Sequence, residues 1–278
     1  MTEQQGDGPD GLLWNGSRFR VGTSGYSFDD WVGPFYPPGT PKGGMLDYYS
    51  TSFDTVEVNS TYYRILHPRV MEHMAAKTPD SFRFFVKLHG SMTHSRDATD
   101  SQWADYGAML GPLRESGKLE GLLAQFPYSF RPCDDSLGYL EVIAERTRGS
   151  APVSVELRHR DWYVPSLRPR LAGLGVSLVS VDLPAIGNLP PREALVEGEA
   201  PGYVRFHGRN ARTWWKGGAE RYDWDYTREE LSAWLPELAR IAASFPAVFL
   251  FFNNCHAGQA VKSAGLMRNL LLETESDK

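Results

Sequence analysis

Only two cysteines occur in 278 residues, Cys133 and Cys255, and there is no CxxC pair. A disulfide framework and a zinc ribbon are excluded, because both need several thiols at close spacing. No apolar run approaches the ~18 residues that a membrane-spanning helix requires. Met1 to Gly11 lack the cationic-then-apolar order of a secretory signal. They read as part of a disordered lead, residues 1–17, of a soluble cytoplasmic protein with no membrane partner. Basic charge is in deficit, 29 Lys and Arg against 34 Asp and Glu, a net charge of −5. That disfavours a chain whose whole surface grips nucleic acid and leaves room for a local basic cleft. Neither GxGxxG nor GxxxxGKS/T follows any apolar run, so the usual nucleotide loops are missing. No solenoid-type period and no Pro/Gly/Ser-rich linker is visible, so residues 18–273 read as one domain, with 274–278 a frayed tail.

What is present is an alternation. Eight short runs, apolar and rich in β-branched or aromatic residues, read as buried strands: Phe19–Ser24, Thr55–Asn59, Arg83–His89, Gly121–Phe126, Val153–Arg158, Ser177–Leu183, Tyr203–His207 and Ala247–Asn254. Helical segments separate them. Pro68–Lys77 opens with a first-turn proline. Ser101–Lys118 carries Gly111-Pro112, where a kink or break is expected. Asp134–Arg148 has acids at its start and arginines before Gly149, and Thr227–Ser244 begins with a capping box, Thr227 with Glu230. Ala257–Leu272 closes the chain, and Leu46–Phe53, Pro165–Leu174 and Pro191–Val196 are weaker candidates. Eight strands alternating with helices predict a single (β/α)8 TIM-type barrel with a parallel eight-stranded sheet. An open doubly wound sheet is the alternative.

Polar residues gather at the strand ends. Glu57 and Asn59, Lys87 and His89, Glu156 and Arg158, and Arg205 and His207 are each two apart and so share a face, while Gln125, Asp182 and Asn253 end three further runs. In a barrel that spacing aims them into the C-terminal mouth, where active sites of this fold lie. Mutual pairing, as in Glu57–Lys87 or Glu156–Arg158, is the structural alternative. Counting Lys87, Arg158 and Arg205, with Arg64 and Arg209 just beyond the strands, the mouth leans positive and suits an anionic or polyhydroxylated substrate, phosphorylated ones included. Glu57 and Glu156 are the expected proton-transfer groups, with Lys87 and His207 as electrophilic or acid partners. Arg158, Arg205 and Arg209 are expected to bind the anion, and Asn59, Gln125 and Asn253 to orient it. Glu156, Asp182 and His207 could together ligate a metal, but the neighbouring cations oppose this and no HExxH or HxH spacing occurs. No metal and no cofactor is therefore expected. Lys87 as a Schiff-base nucleophile is conceivable, though a neighbouring carboxylate would oppose it. Cys255 beside His256 reads as a small residue at a helix start. The loop residues Tyr26, Phe28, Trp31, Phe35 and Tyr36, and Trp214, Trp215, Tyr222, Trp224 and Tyr226, are read mostly as rim packing, with one or two as ligand walls.

The chain resembles the YecE-like family, also called domain of unknown function family 72, from about Phe19 to Leu271. The likeness rests on Gly22-Thr23-Ser24-Gly25 with Trp31 and Phe35-Tyr36-Pro37; on Val56 to Arg64; on Phe85-Val86-Lys87 with Thr93-His94; and on Gln125-Phe126-Pro127. It continues through Val155 to His159 with Trp162, Asp182, Arg205 to Arg209, and Phe252-Asn253-Asn254 with Ala260 and Ala264. The resemblance implies a TIM-type barrel and no settled reaction. Tyr26 and Phe28 stand where the family commonly has Trp and Tyr, and Cys255 where an Asp usually follows the two asparagines. The expected function is an enzyme working by general acid/base chemistry on a small anionic or polyhydroxylated substrate. A nucleic-acid-binding or phosphodiester-processing protein and a non-catalytic ligand-binding module are the alternatives. Arg205 and Glu57 are expected in a solvated mouth, where replacing either costs less than ~1.5 kcal/mol.

Overall fold

Near-continuous burial along the apolar runs decides the architecture. In a computed structural model, which describes residues 11–192 and 200–276, ten strands form one sheet. They are β1 (Leu12–Trp14), β2 (Ser17–Ser24), β3 (Thr55–Val58), β4 (Arg83–Lys87), β5 (Leu119–Gln125), β6 (Val153–Glu156), β7 (Ser177–Leu178), β8 (Ser180–Asp182), β9 (Gly202–Phe206) and β10 (Ala247–Phe252). All neighbours from β2 to β10 pair in parallel. The hydrogen-bonded path begins at β7 and ends at β8. Those two are halves of one run, parted only by Val179. The first half pairs with β6 and the second with β9. The sheet is thus a nearly closed TIM-barrel-like cylinder of eight parallel staves.

Residues of one parity face outward. Val56, Val86, Val155, Val204 and Leu250 pack under the surrounding helices. The other parity fills the interior: Phe85, Leu123, Val179, Val181, Tyr203, Phe249 and Phe251 form a separate plug. Phe85 is central, its ring 4.6 Å from Tyr203 and 5.0 Å from Phe249. Gly121 makes that possible, since a Cβ there would stand 2.5 Å from the Phe85 ring. Large rings at mid-barrel leave the upper layer to polar side chains.

Helices follow the strands as expected, with shifted bounds. Pro68–Ala76 starts on its proline, and Thr227 and Glu230 make the capping box before Arg228–Ser232. Four elements differ from those expected. Asp100–Glu115 runs unbroken through Pro112, begun by a capping box of Thr99 and Gln102. The segment expected as one helix from Thr227 to Ser244 divides into Arg228–Ser232 and Leu235–Ser244, with Pro236 in the first turn of the second. Leu12 to Ser17, expected in a disordered lead, form a hairpin onto β2. Its turn residues Asn15 and Gly16 both take positive φ, 49° and 78°. That is the turn an Asn-Gly pair favours. The last helix, Gln259–Ser276, reaches past the expected frayed end, and Thr274 accepts a hydrogen bond from Trp14 Nε1 at 3.0 Å. The weak candidate Pro191–Val196 lies largely outside the described residues. Among the described residues, no helix is long and apolar enough to cross a membrane.

Candidate functional site

Above the aromatic plug the inward positions turn polar. Glu57 on β3, Glu156 at the end of β6 and Arg205 on β9 meet there, all fully buried. Arg205 Nε and Nη2 donate to Glu57 Oε2 and Oε1 at 2.8 and 2.7 Å, a two-toothed ion pair. Its Nη1 donates to Glu156 Oε2 at 2.5 Å. Tyr203 donates its hydroxyl to Glu57, and Arg158 Nε donates to Glu156. His207, also fully buried, sets Nε2 3.3 Å from Glu156 Oε2 and Nδ1 2.9 Å from Asn253 Nδ2. Burial alone would raise the Glu156 carboxyl, but the Arg158 and Arg205 guanidiniums with His207 hold it well below the usual carboxylate range. Burial and then Arg158 push His207 down to about 3, so the ring is neutral.

This overturns the solvated picture of Glu57 and Arg205. Both carboxylates are saturated with donors and sealed under the floor, so neither is placed to exchange a proton with a ligand. The guanidinium fork of Arg205 is used up by them. The structural alternative, pairing across the mouth, holds for these residues, with Arg205 rather than Lys87 as the partner of Glu57.

A cavity of about 760 Å³ opens over this floor at the C-terminal ends of the strands. Lys87, Arg158, Arg205, Asn59, Gln125 and Asn253 line it, six of the residues singled out in the sequence. Lys87 Nζ donates to Gln125 Oε1 at 2.8 Å, and the Tyr62 ring lies 4.7 Å from it. Burial and the charge of Arg205 lower the Lys87 amine to about 7, against the opposing pull of Glu57 and Glu156. His94, its ring 4.9 Å from Tyr62, is lowered to about 4 by burial and by Lys87. Among the described residues, Arg158 Nη1 has no hydrogen-bond partner, and the buried Asn59 Oδ1 accepts from nothing.

Three expected residues lie elsewhere. Asp182 follows Val181, which faces the barrel interior, so its own side chain points outward. There it accepts from Arg209 Nε at 2.7 Å, Arg209 Nη2 at 2.6 Å, the Tyr226 hydroxyl at 3.0 Å, and Trp234 Nε1. Arg209 also meets Glu230 Oε1 at 3.3 Å. Asp182 and Arg209 are therefore an anchor behind the wall, not mouth residues. Glu156, Asp182 and His207 do not converge, so the ligand set considered for a metal is not assembled; among the described residues no other group of three His, Cys, Asp or Glu is either. Arg64 is exposed and does not line the cavity.

The walls come from residues that strand-end spacing does not reveal. Tyr62, Tyr63, His94, Tyr128, Trp215 and Tyr222 line the cavity, with Phe28 from the first loop. Of the seventh-loop aromatics, Trp214 and Tyr226 are buried, while Trp215 is half exposed at the rim. Trp214, Trp215 and Tyr222 line the cavity, three of the five aromatics where one or two were expected. Cys255 touches the cavity, but burial raises its thiol far above the usual range, which removes it as a nucleophile.

The family described as "Protein of unknown function DUF72" matches residues 20–278. The UPF0759 protein YunF of Bacillus subtilis is 31% identical over 268 residues, 90% of this chain and 94% of that protein. A DUF72 family protein of Thermotoga maritima, known from a crystal structure, is 35% identical with a TM-score of 0.83, covering 91% of this chain and 98% of that one. The apo crystal structure of the 3-keto-D-glucoside 4-epimerase YcjR of E. coli matches with a TM-score of 0.53, covering 92% of this chain and 99% of that one; at 12% identity the likeness shows the fold alone.

Proposed function

This chain belongs to the DUF72 family of proteins of unknown function, and we propose that it is an enzyme that acts on a small anionic substrate in the mouth cavity by acid/base chemistry. One observation carries the reading. Lys87, Arg158 and Arg205 face the cavity, while the carboxylates that pair with the two arginines lie sealed beneath the floor. A ligand at the floor meets cations and amides without meeting the counter-charges. Arg158 offers the free guanidinium nitrogen for a carboxylate or phosphate. Lys87, poised to about 7, takes the proton-transfer role that the sequence assigned to Glu57 and Glu156. Those two carboxylates, with Arg205 and His207, hold the floor in shape. Asn59, Gln125 and Asn253 supply hydrogen bonds that orient the substrate, and the unpartnered Asn59 Oδ1 suits a hydroxyl or amide donor.

The test is thermal unfolding in phosphate or pyruvate against chloride at equal ionic strength. A ligand that binds only the native state raises the melting temperature by mass action. Both anions are expected to do so, and Arg158→Gln is expected to abolish the rise. No rise in the unaltered protein, or an equal rise in Arg158→Gln, would sink the reading. Conversion of a bound anion, lost in Lys87→Met, separates an enzyme from a binding module.

A second reading rests on the rim. Tyr63 and Trp215 are exposed beside Tyr62, Tyr222 and Arg221. Such surfaces stack bases, so a nucleotide or a single-stranded end fits the same mouth. Affinity for an oligonucleotide that falls steeply with salt would favour it.

A further inference from the structure

Among the described residues that line the cavity there is one lysine, Lys87, and its surroundings are not those of a structural ion pair. Its nitrogen has one hydrogen-bond partner, the neutral Gln125 Oε1 at 2.8 Å. The Gln125 amide is held in that orientation by its own Nε2, which donates to the carbonyl of Phe126 at 3.0 Å. One acceptor of this kind takes one N–H and leaves the rest of the amine open to the cavity. Each nearby carboxylate is occupied: Glu57 by Arg205 and Tyr203, Glu156 by Arg158, Arg205 and His207. The lysine sits at the end of β4, a rigid element, between the Tyr62 face and the Arg158–Arg205 floor.

We propose that Lys87 is a nucleophile that forms a Schiff base with a small carbonyl compound bearing a carboxylate or phosphate group. The proposal rests on the anionic reading of the cavity, names the functional group that such a substrate carries, and replaces proton transfer by Lys87 with a covalent step. Arg158 holds the anion, which brings the carbonyl carbon to Nζ. The Lys87 lone pair forms the N–C bond as the carbonyl π pair moves to oxygen. The nitrogen loses a proton and the oxygen gains one, giving a carbinolamine. The C–O bond then breaks, the oxygen takes a second proton, and water leaves behind an iminium ion. No oxidant or reductant is required. The neutral His94, which lines the same cavity beside Tyr62, can relay the first proton from nitrogen to oxygen, and solvent in the open cavity supplies the second. Burial and Arg205, which keep the amine at about 7, leave much of it unprotonated at neutral pH.

The experiment treats the full chain with pyruvate, or with dihydroxyacetone phosphate, in the presence of borohydride. Borohydride supplies the hydride that reduces the iminium to a stable secondary amine. The protein is expected to gain the mass of one carbonyl compound less one oxygen, on the peptide that contains Lys87. The two probes show whether a carboxylate or a phosphate is preferred. Lys87→Met is expected to lose the adduct with its circular dichroism unchanged. Arg158→Gln, which keeps the amine, is expected to lower the yield at limiting probe by tenfold or more. Label spread over surface lysines and unaltered in Lys87→Met would overturn the proposal. Anion stabilisation with no adduct would overturn the covalent step and leave the anionic reading standing. Absence of both would overturn the two together.

Discussion

Removing Arg205 would strand Glu57 and leave Glu156 to Arg158 and His207 alone. Glu57 and Glu156 are both fully buried, and Arg205 gives each at least one charged hydrogen bond. A buried charge that loses its partner is a large cost, and among the described residues Arg205 is the one cation paired with Glu57. Arg205→Ala is therefore expected to lower stability by ~3–5 kcal/mol in urea denaturation. The double change Arg205→Met with Glu57→Gln should recover part of the loss, since it removes the stranded charge. A loss below ~1.5 kcal/mol would mean that water enters the floor and that the groups are solvated after all. Arg158 differs on the same criterion. It lies at the cavity surface with one guanidinium nitrogen unpaired, so its replacement should affect ligand more than fold.

At the scale of elements, the segment between β9 and Arg228–Ser232 supplies much of the cavity wall through Trp214, Trp215, Arg221 and Tyr222. It has little regular structure, only a short helical turn at Gly218–Tyr222. Its two ends are tied down by Asp182: Arg209 binds at the start, and Tyr226 at the finish. Tyr226 in turn accepts from Gly208 N at 2.9 Å, and Trp234, in the turn before Leu235–Ser244, donates to the same carboxylate. Asp182 thus converts a long loop into a fixed wall. Hydrogen bonds to a buried charge contribute about 1.5–3 kcal/mol each, although their effects are not additive. Asp182→Asn keeps the shape and removes the charge. It is expected to cost about 2–3 kcal/mol and to speed tryptic cleavage at Arg212, Lys216 or Arg221. An unchanged cleavage rate would show that the loop is held by its aromatic packing instead.

Across the whole molecule, the buried charge layer sets the response to acid. His207 is lowered to about 3 from an ordinary value near 6.5. The unfolded chain therefore binds its proton more readily than the folded one between those limits. The sign follows: stability from this group is fully present above about 6.5 and is lost as pH falls toward 3. A series of urea midpoints should fall through that window, and His207→Asn should flatten the fall. Parallel slopes in the two proteins would show that other groups carry the acid transition.

How much of this was legible beforehand differs by level. Local chemistry was enough for the staves, because runs such as Val153 to Glu156 and Ala247 to Phe252 can be buried on both sides only in a covered parallel sheet. It was enough, too, for the Thr227–Glu230 cap and for the inward register of Glu57, Lys87, Glu156 and Arg205. The Asn15-Gly16 turn was equally local and could have been read from the pair itself. The place of closure could not, since it depends on Val179 dividing one run between two neighbours. Nor could the inside–outside assignment of Asp182, where a shift of one residue moves a side chain to the opposite face. The sequence by itself determined the barrel and the polar ring at its mouth. Only the tertiary structure decided which charges cancel, because a carboxylate is available for chemistry or spent on scaffold according to the distance of its nearest guanidinium.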